Sequence, residues 1–250
     1  MNLTIHEASL YVHKLSDKIK NHRNVEVVLA AGYLTLPSLS LQIDHRQFKL
    51  AAQNLYWRDE GAFTGEVSAH QLRGLVNYAI IGHSERRHIF GEKDKDIRSK
   101  VQAAVRNGIT PILCVGETAS ERAAKETAGV IHDQVVGGLA NLTAEEVADI
   151  VIAYEPVWAI SNGTNFSDHK TPSADDMKTV QKLIRNQVAH LFGKEVAESI
   201  RILYGGSANS SNSAMYLGVE GVDGLLVGGA SLRADEFEAI VETAYKAGKK

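Results

Sequence analysis

Cysteine is almost missing from this chain, with Cys114 the only one among 250 residues. One thiol can make neither an intramolecular disulfide nor a cysteine-clustered zinc site, so a reducing compartment is expected. Long apolar runs are missing too. Nothing approaches the roughly 18 residues of a membrane span, and the start Met1-Asn2-Leu3-Thr4-Ile5-His6-Glu7 has neither the basic opening nor the apolar stretch of an export signal. The expectation is a soluble, cytoplasmic protein with no membrane partner. Lys/Arg-rich runs are also lacking, and a net charge of -3 with a pI near 6.4 gives no bias toward nucleic acid. Finally, no Pro/Ser-rich linker or charge block divides the chain, so residues 1–250 are expected to form one domain.

Short apolar, β-branched runs recur at Val25 to Ala30, Phe48 to Ala52, Tyr78 to Ile81, Thr110 to Val115, Ile150 to Tyr154, Ile200 to Tyr204 and Val222 to Val227. Such runs read as parallel strands buried on both faces. Amphipathic segments lie between them, among them Ile97 to Ala104, Val180 to Leu191 and Phe237 to Tyr245, with apolar residues at helical spacing. The sustained alternation predicts either one α/β barrel or one doubly wound sheet. The chain opens in a helix-like segment, Thr4 to Lys20, and closes in another, Leu232 to Lys249, giving eight helices against seven strands. A (β/α)8 barrel closes on eight strands, each followed by a helix. The expected fold is therefore an α/β TIM barrel lacking its first β-strand.

Four motifs carry chemistry. Ile80-Ile81-Gly82-His83-Ser84-Glu85-Arg86-Arg87 sets a histidine where a strand gives way to a helix, with Ser84 as the expected N-cap. The positive end of a helix disfavours imidazolium and so favours a neutral, hydrogen-bond-donating ring. The other nine of the ten histidines carry no such context. Ala153-Tyr154-Glu155-Pro156-Val157-Trp158-Ala159-Ile160 ends a strand in a carboxylate. There Glu155 is a candidate base whose proton affinity burial would raise. Pro156 stiffens a hinge before the polar stretch Ser161-Asn162-Gly163-Thr164, which suits a lid. Tyr204-Gly205-Gly206-Ser207 and Gly228-Gly229-Ala230-Ser231 place glycine pairs after the last two strands, where backbone N–H groups of this fold bind phosphate. Singly, each motif has a plain structural reading as a capping histidine, a paired glutamate or a simple turn.

Together, in order and spacing, these motifs resemble the triosephosphate isomerase family. Gln53-Asn54, Cys114-Val115-Gly116-Glu117 and the stretch Gly61-Ala62-Phe63-Thr64-Gly65-Glu66, which resembles the family's dimer loop, add to the match. The resemblance runs from Met1 to the end. It implies a glycolytic and gluconeogenic isomerase that interconverts dihydroxyacetone phosphate and D-glyceraldehyde 3-phosphate through an enediol(ate). It also implies that Glu155 is the base, His83 the electrophile and Glu85 a supporting carboxylate. Ser161, Ser207, Gly228 and Gly229 would donate to the phosphate, and Ile160 and Leu226 would exclude water. Cys114 matches a family cysteine near the base, or is plain packing. The implied protein is a homodimer through Gly61 to Glu66 once its barrel is complete, with no metal or organic cofactor, since proton transfer beside a carbonyl needs a base, an electrophile and a dry site.

Three departures stand out. The lid reads Ser161-Asn162-Gly163 where the family commonly has Gly-Thr-Gly, with a long stretch Thr164 to Thr171 behind it. Ala31-Gly32-Tyr33 replaces a proline-containing turn. Of the family's first-strand Asn-Trp-Lys-Met-Asn, this sequence keeps only Met1-Asn2, so the catalytic lysine and its asparagine are expected to be missing. The alternative reading is a non-catalytic or weakly active phosphate-binding barrel, or a truncated fragment.

Overall fold

The computed structural model describes residues 2–19, 24–160 and 171–248. Seven strands follow one another in chain order: β1 (Val27–Ala31), β2 (Phe48–Ala52), β3 (Tyr78–Ile81), β4 (Thr110–Val115), β5 (Val151–Tyr154), β6 (Arg201–Tyr204) and β7 (Gly224–Leu225). Each is parallel to its neighbour. A doubly wound sheet reverses strand order at a switch point. The order 1 to 7 has none, which removes that alternative. Strands β2, β3 and β4 have the expected bounds, while β1, β5 and β6 start one or two residues late. Strand β7 shrinks to two residues, and among the described residues its ladder is with β6, Leu203 opposite Gly224 and Tyr204 opposite Leu225.

Successive side chains of a strand point to opposite faces, and both faces here are buried. Leu50, Ile81, Leu113, Ile152 and Ile202 belong to the large core under the helices. Ala51, Tyr78, Ile80, Ile112, Cys114, Val151 and Ala153 form a second, inner cluster, onto which Val28 and Ala30 of β1 and Leu203 of β6 also pack. The inner cluster exists because the sheet curls. Glu26, just before β1, accepts a hydrogen bond from Tyr78 of β3 and pairs with Arg201 of β6 at 3.2 Å. In a flat sheet, strands one and six would stand roughly 24 Å apart at about 4.8 Å per strand, beyond the reach of two side chains. The outer layer also comes round on itself. Lys18 of the first helix (Ile5–Lys18) binds Asp235 at 2.7 Å and Glu238 at 3.3 Å on the last (Ala234–Ala247), and Tyr11 donates to the Ser231 carbonyl.

The described residues hold twelve α-helices instead of eight, because several crossovers are broken into pieces. Hydroxyl-to-carboxylate capping boxes start the extra segments. Thr118 with Glu121 opens Ala119–Ala123, and Thr143 with Glu146 opens Ala144–Ala148. Each hydroxyl takes an N–H that a helix start leaves unbonded, while the carboxylate returns to the cap. Gly193, at φ +94, ends the long helix Ala174–Phe192 and precedes Lys194–Ser199. Thr4 caps the first helix through the same kind of box with Glu7, and the helix ends at Lys18. The expected helix ends Lys20 and Lys249 lie outside the described residues. No described helix is long and apolar enough to cross a membrane.

The cross-sheet pair gives a direct test of curvature. A double-mutant cycle of Glu26→Gln and Arg201→Gln, residues 175 positions apart, is expected to return a coupling of about 0.2 to 1 kcal/mol in urea melts, as for a half-exposed ion pair. Strict additivity would mean that the sheet does not bring these strands together.

Candidate active site

Parallel strands end on a common rim, and His83 and Glu155 leave it from β3 and β5. Glu155 follows β5 directly and is 2% exposed. Glycines on both flanks make room for it. A Cβ on Gly116, after β4, would collide with the Glu155 carbonyl, and one on Gly205, after β6, would stand 2.9 Å from its Cγ. The backbone ladder runs on through this gap, with Glu155 N–H donating to Val115 at 2.7 Å and Gly205 N–H to Tyr154 at 2.7 Å.

The carboxylate points at the start of the short helix Ser84–His88. Oε2 accepts the Ser84 backbone N–H at 2.9 Å. Oε1 lies 2.9 Å from Nε2 of His83, close in charge terms but without an aligned hydrogen bond. The N-cap is His83 itself and not Ser84: its Nδ1 accepts the Glu85 N–H at 3.3 Å. Ser84 is the first helical residue, and its own N–H is thereby left free for Glu155. With Nδ1 accepting, the neutral ring carries its proton on Nε2, facing the carboxylate.

Burial disfavours the imidazolium, but contact with Glu155, its charge and that of Glu85 together outweigh burial and raise the His83 pKa above its ordinary value. Glu85 itself is largely exposed, with Oε2 3.9 Å from Nδ1. Cys114 is fully buried on β4, and burial, reinforced by the Glu155 charge, pushes its thiol well above the ordinary range.

The other expected positions are spread along the same rim. Ser207 N–H donates to the Ala159 carbonyl at 3.2 Å, which ties the β6 loop to the turn Val157–Ala159. Ile160 follows that turn, half-buried. Leu226 is bonded to Tyr204 at 2.8 Å and packs on the inner cluster. Gly228 and Gly229 are exposed, with open space where a Cβ would stand. Ser161 and the rest of the expected lid, Asn162-Gly163-Thr164, lie outside the described residues.

Several contributors escaped the reading of the sequence. Glu117, fully buried, accepts from Trp158 Nε1 at 2.9 Å, Tyr154 Oη at 3.1 Å and Arg122 at 3.2 Å, and so braces the segment after Glu155. Arg122 also lies over the Trp158 ring and pairs with Asp176 at 2.6 Å. The one available signal was the glutamate in Val115-Gly116-Glu117, a charge at the end of a buried strand.

Residues 1–244 match the family model described as triosephosphate isomerase. The triosephosphate isomerase of Acetivibrio thermocellus is 44% identical over 243 residues, covering 97% of this chain and 94% of that protein. Those of Streptococcus suis and Pediococcus pentosaceus are 44% and 45% identical over 242 residues, covering 96% of this chain and 94% of each relative.

The His83–Glu155 contact fixes a pH dependence. In nuclear magnetic resonance titrations His83 is expected to protonate above about 6.5, the ordinary histidine value. A raised folded-state value means that its stabilising share is complete below the ordinary value and is lost as pH rises through the raised one. Glu155→Gln removes the carboxylate and leaves burial, so the midpoint should fall. An unchanged midpoint in that variant would assign the shift elsewhere.

Proposed function

The chain belongs to the triosephosphate isomerase family, and from that premise we propose that it interconverts dihydroxyacetone phosphate and D-glyceraldehyde 3-phosphate. The observation that carries the site assignment is the buried Glu155 carboxylate 2.9 Å from His83 Nε2 at the strand ends. Glu155 takes a proton from one substrate carbon and returns it to the next, passing through an enediol(ate). His83 donates from Nε2 to the oxygen on which charge develops, because Nδ1 is occupied by the Glu85 N–H. The substrate phosphate lies across the β6 and β7 loops, on the N–H groups of Gly228, Gly229 and Ser207, with Ser161 completing the set. Ser207 N–H reaches it only after leaving the Ala159 carbonyl. Ile160 and Leu226 cover the reacting atoms, and Glu85 supports the histidine from outside.

In the same reading the curled sheet is a (β/α)8 barrel in one domain. Its described strands are the second to eighth, and the first belongs between β7 and β1. The protein works in the cytoplasm and needs no cofactor for proton transfer. Lys14 and Lys18 are drawn away to Asp235 and Glu238, and Lys20 is outside the described residues. We also propose a homodimer through the loop 61–66. Gly61 and Gly65 have positive φ, and Phe63 is 39% exposed while its ring packs on Tyr56 at 4.8 Å. A tip of that kind suits insertion into a second copy.

In assays of glyceraldehyde 3-phosphate isomerisation, Glu155→Asp retracts the base and should lower kcat, on the order of 100-fold, with much less effect on KM. Undiminished kcat would remove Glu155 as the base.

For the barrel completed by its first strand, sedimentation should show association that depends on concentration, beyond the 27.2 kDa of residues 1–250, and Phe63→Asp should abolish it. A completed barrel that stays monomeric at every concentration would rule out the loop as an interface.

A further inference from the structure

Registered pairing between β3 and β4 ends at Ile81 opposite Leu113. One step on, Gly82 and Cys114 each present a carbonyl, and one side chain bonds both. Arg87 Nε donates to Gly82 at 2.7 Å and Nη2 to Cys114 at 3.0 Å, while Nη1 binds Asp94 at 2.7 Å. The Arg87 side chain is 10% exposed, and its guanidinium lies against Gly82, where a Cβ would stand 3.1 Å from Nη2 and 3.2 Å from Ile97. Gly82 adopts φ +74, which directs the chain into His83.

These bonds form a path between the two reactive groups. Gly82 precedes His83, and Cys114 precedes Val115, whose carbonyl holds the Glu155 N–H at 2.7 Å. We propose that Arg87 is a positioning residue: by bridging the Gly82 and Cys114 carbonyls where the β3–β4 ladder ends, it sets the spacing of His83 against Glu155. A planar fork with several fixed donors suits two carbonyls and a carboxylate at once, which a single ammonium cannot match. Lysine at this position keeps the charge and loses the fork, so Arg87→Lys separates geometry from electrostatics.

The test uses residues 1–250 labelled with 15N at histidine, with the His83 signals identified by their loss in His83→Gln. In folded Arg87→Lys the His83 ring signals should move and the titration midpoint should fall toward the ordinary value, because the ring has drifted from the carboxylate. Arg185→Lys is the control. Arg185 likewise binds carbonyls, those of Ala197, Ile200 and Gly221, and the Asp223 carboxylate, away from the site. It should lower the melting temperature without moving His83. The second readout rests on the isomerase reading: kcat should fall 10- to 100-fold with KM little changed. Unmoved His83 signals in folded Arg87→Lys overturn the proposal whatever the kinetics. Moved signals without any turnover in the parent chain sustain it and count against the isomerase reading instead. Should Arg87→Lys not fold, Asp94→Asn, which frees one arm of the fork, is to shift His83 in the same direction by less. Unmoved signals in that variant overturn the proposal equally.

Discussion

A carboxylate taken out of water must find donors or lose its charge, and the rim of this sheet is organised around that requirement at Glu155. Its two oxygens face the Ser84 N–H and the His83 ring. Those partners come from β3, while the carboxylate comes from β5 and the strand between them is β4. Convergence of the three requires the sheet to curl, and the curl in turn depends on inward side chains small enough to share one lumen, such as Ala51, Cys114 and Ala153. Gly116 and Gly205 then admit the glutamate backbone and Cγ. Enlarging either glycine would act on the chemistry through Glu155 before it acted on the core.

Strand content was legible because both-face burial leaves a plain mark, a short apolar run such as Tyr78 to Ile81, whose bounds the structure matches. Helix boundaries were less so. The apolar periodicity of Val180 to Leu191 shows a helix but not its start, which is set by a local bond between Ser173 and Asp176. The Ser/Thr-x-x-Glu/Asp spacing that marks such boxes stood in the sequence at Thr118, Thr143 and Ser173 and would have divided the crossovers correctly. Ser84 was misassigned as a cap for a related reason. A serine before a helix is the commoner cap, but the dihedrals of His83 put the histidine in that role and spent the Ser84 N–H on a residue 71 positions away.

Long-range polar contacts were the least legible part. Nothing in the spacing of Glu92, Lys100 and Asn54 says that they meet, yet Lys100 is 2% exposed and donates to Asn54 at 2.8 Å and to Glu92. Burial lowers the Lys100 pKa and Glu92 opposes that effect. Replacing Glu92 would strand the Lys100 charge in the interior, a larger penalty than the pair's own net contribution, whereas Glu92 also pairs with Arg86. Glu117 with Arg122 and Trp158 follows the same rule beside the site. Pattern reading finds residues that share a face, whereas these residues share only a destination.

The His83–Glu155 contact also bears on how the site would change when occupied. The carboxylate lies against Nε2 and raises the affinity of the ring for a second proton. A substrate oxygen that accepts the Nε2 proton must come between the two, since Nδ1 is already bonded to Glu85 N–H. Once the carboxylate has turned to a substrate carbon, burial, which disfavours the imidazolium, is opposed on the ring by the Glu85 charge alone. Binding would then move the ring toward the neutral state expected from the sequence. In the proposed reaction the same displacement would bring Glu155 Oε1, which has no aligned donor, to the substrate as a base. One movement of the carboxylate would thus prepare both groups, while the Ser84 N–H on Oε2 limits how far it can swing.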